Sequence, residues 1–301
     1  MSRRSAPWAL IPIVSAILAC ASFAHAATQV PCAPEPATFV SVVGNVDGPA
    51  DPDASLTIAT LNMGGHAQIA EALSTWVYSR AIDVLLLQEV GNETEDGAAF
   101  IASLGQRLGL GFVYAPATRF ESGNAQGLAI VSRYPLDEVS VQPLTYFHLR
   151  FRSRCRLALA ATMKTPAGSV RVVNVHLDTR INSKDRVAQL RPAIDALGAF
   201  EDPQIIGGDF NTMNVRWFRT MWPLPFLQNQ AKAVNALLSS AGFHTPFTDA
   251  PPTHRVLGVP QKLDWLYLKD LDTLESGVDK VRMTDHRGVW ARVKQARAGP
   301  R

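Results

Sequence analysis

Ile205-Ile206-Gly207-Gly208-Asp209-Phe210-Asn211 is an apolar run that delivers two glycines, then a carboxylate and a carboxamide two residues apart. Four other strand-like runs end in polar groups that do not belong in a core. Leu56 to Leu61 ends in Asn62, Val84 to Leu87 in Gln88 and Glu89, and Val172 to Val175 in His176, while the last pattern reaches Asp285 and His286. Ligand crevices of α/β sheets form beyond the strand ends, so separate elements can gather such groups into one site. Glycine lets a backbone turn tightly and a substrate approach closely, which suits Gly207 and Gly208 to the edge of that crevice. The pattern points to a metal-dependent hydrolase.

Around this stretch lies enough chain for one large core: 301 residues, 47% hydrophobic, with no internal repeat. The N-terminus carries Arg3 and Arg4, an apolar stretch from Trp8 to Ala19 broken by Pro12, and then Ala24-His25-Ala26. That order predicts a secretory signal peptide over residues 1–26, because the apolar stretch is shorter than the roughly 20 residues that cross a bilayer. Cleavage after Ala26 removes two arginines and no acid, taking Lys+Arg from 29 to 27 against 26 Asp+Glu and the formal charge from +3 to +1. Polyanion binding therefore needs a local patch rather than global charge. A secreted or periplasmic location follows; lipid anchoring at Cys20, after Ile17-Leu18-Ala19, ranks second because Leu18 fits that signal poorly. Cleavage also leaves Cys32 and Cys155, which an oxidising compartment can join.

Residues 27–54, rich in Pro, Ala, Gly and Asp, read as a tail or linker, and the catalytic domain is expected over 55–296. Strand-like runs follow at Leu56 to Leu61, Ile82 to Leu87, Gly127 to Ser132, Leu157 to Met163, Val170 to His176, Gln204 to Gly207, Leu263 to Leu268 and Gly288 to Val293. Several are continuously apolar, as strands covered on both faces are. Helical spacing appears in Val187, Leu190, Ile194, Leu197 and Phe200 after Asn182 and Ser183, in Ala98 to Leu108, and in Ala231 to Leu238. Thr165-Pro166-Ala167-Gly168 marks a hairpin, so the sheets are mixed. Two packed sheets with helices outside would bury this many apolar strands.

Each polar strand end suits a distinct task. Glu89 could serve a hard cation or be an exposed strand end, and one or two acidic ligands suffice for an ion that keeps its waters. His286 can take a proton from water, with a carboxylate on its other ring nitrogen to fix the tautomer. Asp264, in Lys262-Leu263-Asp264-Trp265-Leu266, is the best candidate for that carboxylate, since a buried acid needs a partner.

Together the stretches Thr60-Leu61-Asn62, Leu87-Gln88-Glu89-Val90, Gly127-Leu128-Ala129-Ile130-Val131-Ser132-Arg133, Asn174-Val175-His176-Leu177, Gly207-Gly208-Asp209-Phe210-Asn211, Leu263-Asp264-Trp265 and Thr284-Asp285-His286-Arg287 resemble the endonuclease/exonuclease/phosphatase superfamily. That group includes DNase I, abasic-site endonucleases, bacterial sphingomyelinases and inositol-phosphate phosphatases. The resemblance spans about Ser55 to Lys294 and implies a DNase I-like four-layer α/β sandwich with two packed mixed sheets. It also implies a divalent metal, Mg²⁺ first and Mn²⁺ or Ca²⁺ as alternatives. Carried over, Glu89 is the principal metal ligand, with Asp285 and Asn62 at or near the ion. His286 activates water and is oriented by Asp264; Asp209 and Asn211 position the nucleophile or phosphoryl oxygens; His176 stabilises charge on the phosphate or leaving group. Abasic-site endonucleases carry an acid two residues after the first Asn, where this chain has Gly64.

Arg150, Arg152, Arg154 and Arg156 alternate with Phe151, Ser153 and Cys155. An extended chain would align the four guanidiniums over roughly 20 Å, and guanidinium matches phosphate oxygens bidentately. Arg154 and Arg156 are the expected substrate contacts. A nuclease would use this comb and the basic run of Arg180, Lys184 and Arg186, whereas a sphingomyelinase-like or phospholipase C-like enzyme needs an apolar surface. The insertion from Trp217 to Leu227 offers such a surface or packs on the core. A nuclease-like phosphodiesterase is slightly preferred over a phospholipid or inositol-phosphate esterase, and over a non-catalytic interaction module on the same fold. The expected partner is a phosphodiester substrate, with no stable protein partner and a monomeric state.

Overall fold

In the computed structural model, residues 35, 37–40, 51, 53–150, 153–217, 219, 224–256 and 258–296 are described, all within one compact unit. Two sheets carry the fold. The first runs in the order β1 (Thr38–Val40), β4 (Gly111–Arg119), β5 (Ala125–Ser132), β3 (Val84–Val90), β2 (Leu56–Asn62), β16 (Arg287–Gln295) and β15 (Leu271–Lys280). The second has β14 (Asp264–Lys269), β9 (Gln204–Asp209), β8 (Gly168–His176), β7 (Leu157–Thr165) and β6 (Leu136–Pro143). Two short hairpins, β10 (Val215–Arg216) with β11 (Leu224–Leu227) and β12 (His254–Val256) with β13 (Val259–Gln261), border the second sheet in sequence. The pairs β2–β3 and β8–β9 are parallel and the rest antiparallel, so both sheets are mixed.

The strands alternate between two apolar environments, as a period of two requires. Ile58, Val84, Leu86, Leu128 and Ile130 join Leu159, Val172 and Ile206 in a core that extends to α3 (Ser183–Leu197) and α4 (Gln230–Ser240). Ala59, Leu61, Leu85, Leu87 and Val131 instead meet Leu73 and Val77 of α1 (Ala70–Arg80) and Phe100, Ile101 and Leu104 of α2 (Gly97–Leu108). The order helices, sheet, sheet, helices is the four-layer α/β sandwich. Helix starts follow from side-chain caps: Asp96 accepts from Ala98 N and Ala99 N, Asn182 from Asp185 N and Asn229 from Lys232 N.

Beneath the strand ends the two sheets are stitched by polar side chains. Gln88 Nε2 donates to Asn174 Oδ1 at 2.7 Å and to Thr60 Oγ1 at 3.0 Å, while Asn174 Nδ2 donates to Leu87 O and Ala129 O. Both side chains are fully buried, and hydrogen bonds made in such surroundings fix the register of one sheet on the other.

Several sequence expectations change. Gly207 and Gly208 do not turn the chain: they lie inside β9, where Gly208, at φ 142°, would put a Cβ 1.9 Å from Val175 O. Asp285 and His286 do not close a strand but occupy the turn before β16. Thr38–Val40, within the Pro- and Ala-rich stretch, pairs with β4 at the sheet edge. α1 was missed because Glu71, Ser74, Thr75 and Ser79 dilute its apolar face. The arginine comb is not a strand among the described residues: 153–156 have no regular structure, and 151 and 152 lie outside them. Residues 1–34, with the expected signal peptide, Cys20 and Cys32, also lie outside. Cys155 is disulfide-bonded, and its partner is not among the described residues.

Candidate active site and metal centre

Parallel pairing brings the ends of β2 and β3 together, with Asn62 beside Gln88, and the ends of β8 and β9, with His176 beside Asp209. Antiparallel neighbours reach the same edge with their first residues. β14 starts at Asp264, directly opposite Asp209, and β16 runs against β2, so the preceding turn delivers Asp285 and His286 there. Strand β3 contributes through a bulge, because the register shifts between Leu87, opposite Ala129, and Val90, opposite Gly127. The extra residue forces Glu89 to φ 53°, a left-handed conformation unusual for a side chain of this size, and re-aims its carboxylate. Asn211 sits at φ 51°. Strain of this kind gathers at functional sites.

Asn62 Nδ2 links two carboxylates, donating to Asp209 Oδ2 at 3.0 Å and Glu89 Oε1 at 3.3 Å. Asp209 Oδ1 accepts from Asn211 N at 2.9 Å, and Asn211 Nδ2 donates to Leu177 O. His176 Nε2 lies 3.5 Å from Asp209 Oδ2 and 3.8 Å from Glu89 Oε1, buried and without a hydrogen-bond partner. His286 Nδ1 meets Asp264 Oδ2 at 2.8 Å and Oδ1 at 3.1 Å, and the Asp264 carboxylate is fully buried. Thr284 Oγ1 donates to Asn62 O at 2.8 Å, tying the Asp285 turn to the end of β2.

Charge crowding sets the protonation pattern. Burial, and then Asp264, push the Asp209 carboxyl up to about 7, against the pull of His286, Asn62 and the Asn211 amide. Burial pulls His286 down, but Asp264, Asp209 and Asp285 outweigh it and lift the ring to about 10. His176 goes the other way: burial, with the charges of Arg156, His286 and Arg154, holds it well below its ordinary value, so it is neutral. Crowded, desolvated carboxylates make a donor set that fits a divalent cation. Asp209, Asp264 and His286 offer ligand atoms within 4.8 Å of one another, as do His254, Asp285 and His286. Glu89 belongs to neither trio and reaches the site through Asn62 and His176.

Asn62, Glu89, His176, Asp209, Asn211, Asp264, Asp285 and His286 thus converge at one edge. Asp264 is the partner of His286, while Lys262 donates to Phe247 O and Thr248 O. The two arginines diverge: Arg154 Nη1 donates to Gln126 Oε1, and Arg156 Nε pairs with Asp178 at 3.0 Å. Arg156 still lines a small cleft with Glu89, His176, Gln126 and Thr118. Arg186, expected on a basic surface, is fully buried, donating to Gln230, Asp178 O, Phe210 O and Ile181 O. It braces the loops that follow β8 and β9. Trp217 is buried against Met213 and Leu263; Phe218 and residues 221–223 lie outside the described residues. Sequence reasoning missed His254, whose ring stacks on His286, and no periodicity marks it.

The chain's similarity to known proteins agrees with this geometry. No curated protein matches it. Among solved structures it resembles an endonuclease/exonuclease/phosphatase from Beutenbergia cavernae (TM-score 0.63, 20% identity, 80% of this chain and 72% of that one). It also resembles a family protein from Leptotrichia buccalis (0.62, 15%, 79% and 99%) and the human Nocturnin catalytic domain with bound sulfate (0.62, 16%, 86% and 97%). At such identities these likenesses concern the fold. The sequence profile of the Endonuclease/Exonuclease/phosphatase family matches residues 59–286, from β2 to His286, and the chain belongs to that family.

Proposed function

We propose that the protein is a secreted, Mg²⁺-dependent phosphodiesterase that cleaves its substrate by in-line attack of water, with nucleic acid preferred over a lipid headgroup. The observation that carries the proposal is the buried Asp264–His286 pair set beside the Asn62, Asp209, Glu89 and His176 cluster at the ends of both sheets. Glu89, Asp285 and Asn62 are assigned to hold the ion. When bound, it supplies positive charge that neutralises crowded carboxylates and the charge spreading over the phosphate. With that charge offsetting the carboxylates that lift its ring, His286 takes the proton of the attacking water through its second ring nitrogen, since Asp264 occupies Nδ1. Asp209, anchored by Asn62 and the Asn211 amide, positions the nucleophile. Neutral His176, with Nε2 free, donates to a phosphoryl or leaving-group oxygen, and Arg156, which lines the cleft beside Glu89 and His176, meets the phosphate.

Burial of Trp217 favours a polyanion over a bilayer surface, because it removes one of the largest rings of the insertion from lipid contact. Among the described residues no helix is long and apolar enough to cross a membrane. The proposal is tested with bis-p-nitrophenyl phosphate and Mg²⁺, with EDTA as control, followed by plasmid DNA, RNA, sphingomyelin and inositol phosphates in parallel. Metal-independent turnover, or turnover that survives His286→Ala, would overturn the mechanism; cleavage of lipid alone would overturn the substrate preference.

A further inference from the structure

His254 opens the β12–β13 hairpin immediately before β14, and its surroundings tie it to two residues of the site at once. Its ring lies 4.3 Å from that of His286 with an interplanar angle of 21°. Its Nδ1 is 3.2 Å from Asp285 O and 3.7 Å from Asp285 Oδ2. The hairpin that carries it is itself fixed to both strands of the site. Thr253 Oγ1 accepts from Leu263 N and Asp264 N, and Thr253 O accepts from Arg287 N at 2.7 Å. His254 therefore stands on a frame that also sets the starts of β14 and β16.

A ring held only at Nδ1 can still tilt about that hydrogen bond, which swings its second nitrogen away from any water it must deprotonate. A flat neighbour stacked against its face removes that freedom. Asp285 has the opposite problem: its carboxylate is 66% exposed, and an exposed carboxylate samples several rotamers. An Nδ1–H directed at the Asp285 carbonyl, with the carboxylate in reach, narrows that range.

We propose that His254 is a positioning residue with two separable arms, a stacking arm that aligns His286 and a polar arm that holds Asp285. This rests on the phosphodiesterase assignment of the same site. The full-length protein and its His254→Ala, His254→Phe and His254→Asn variants are compared by three measurements. These are kcat and KM on bis-p-nitrophenyl phosphate at saturating Mg²⁺, the dissociation constant for Mn²⁺ by calorimetry, and the melting temperature. A misplacement near 1 Å costs on the order of 100-fold in rate, so His254→Ala is expected to lose about 10- to 100-fold in kcat with KM unchanged and Mn²⁺ binding weakened. His254→Phe, which keeps a stacking ring, recovers kcat but not Mn²⁺ affinity. His254→Asn, which keeps a polar group at the Nδ1 position, does the reverse.

Wild-type kcat and Mn²⁺ affinity in His254→Ala would sink the proposal. So would equal losses in all three variants accompanied by a falling melting temperature, the mark of a generic structural role. If the wild type hydrolyses no phosphodiester but Mn²⁺ binding still follows the Ala, Phe and Asn pattern, the assigned activity fails and the polar arm stands. If the wild type is active and the pattern is absent, His254 alone is wrongly assigned.

Discussion

Replacing Asp264 with Asn keeps the shape of the side chain and removes its charge, at a position where the carboxylate is fully buried and bonded to His286 Nδ1 at 2.8 and 3.1 Å. A hydrogen bond assisted by charge is worth about 1.5–3 kcal/mol, or about 10- to 150-fold in rate if it is made in the transition state. A carboxamide can also turn its NH₂ toward the ring and select the wrong tautomer, which carries the loss toward about 10⁴ in a comparable Asp–His arrangement. The expected result is a kcat lowered by about 10²- to 10⁴-fold, with KM close to wild type, because the fully buried Asp264 acts through His286. Stability moves differently. Asp264 lifts His286, which favours the fold, and also pushes Asp209 up, which opposes it. Neutralising Asp264 relaxes both, so the melting temperature should change little while activity collapses. Steady-state kinetics with a thermal melt on the same sample decides the matter. A kcat within about threefold of wild type, less than the weakest hydrogen bond of this kind would cost, refutes the orienting role. A parallel loss of stability reduces Asp264 to a structural acid.

Glu89→Gln should weaken Mg²⁺ binding on the order of 10- to 100-fold, seen as a right-shifted Mg²⁺ titration of activity; an unshifted titration would remove Glu89 from the metal. Gly208→Ala should cost more than about 3 kcal/mol, because φ 142° and a Cβ 1.9 Å from Val175 O combine strain with overlap against backbone. A urea melt checks this, and wild-type stability would contradict the close strand packing. In the metal-free protein His286, raised to about 10, contributes stability fully present below its unfolded value near 6.5 and lost as pH rises through about 10. The melting temperature should thus fall between about pH 8 and pH 10 more steeply in wild type than in His286→Asn; identical slopes would mean that the pairing with Asp264 does not charge the ring.

How much of this was legible depended on what each residue answers to locally. Leu56 to Leu61, Val170 to His176 and the helix behind Asn182 were readable because continuous apolar runs and side-chain caps are properties of a short window. The acids and histidines of the site were readable because a charged group at the end of an apolar run is out of place wherever the run lies. Arg186 was misread for the same reason: a cation beside Lys184 looks solvated until four acceptors, two of them from distant segments, enclose it. The arginine comb failed because alternation in sequence becomes alternation in space only if the segment joins a ladder, and 153–156 joins none. His254 was invisible, since its partner is thirty-two positions away and stacking leaves no periodic trace.

The direction of the strands explains why these particular groups meet. Parallel neighbours such as β2 and β3 end at the same edge, so their contributions come from residues that follow apolar runs, Asn62 and Glu89. Antiparallel neighbours such as β14 and β16 begin at that edge, so theirs come from residues that precede the run, Asp264 and His286. A mixed sheet can therefore draw ligands from both kinds of terminus. The cost is visible where the two kinds adjoin: Asp209 and Asp264 are directly opposed in neighbouring strands, an arrangement of like charges that destabilises a sheet. Asn62, the Asn211 amide and the His286 ring each offset part of that repulsion, and each is supplied by a different segment. The opposition of the two acids is thus balanced only when all of those segments are in place, which ties assembly of the charged edge to completion of the sandwich itself.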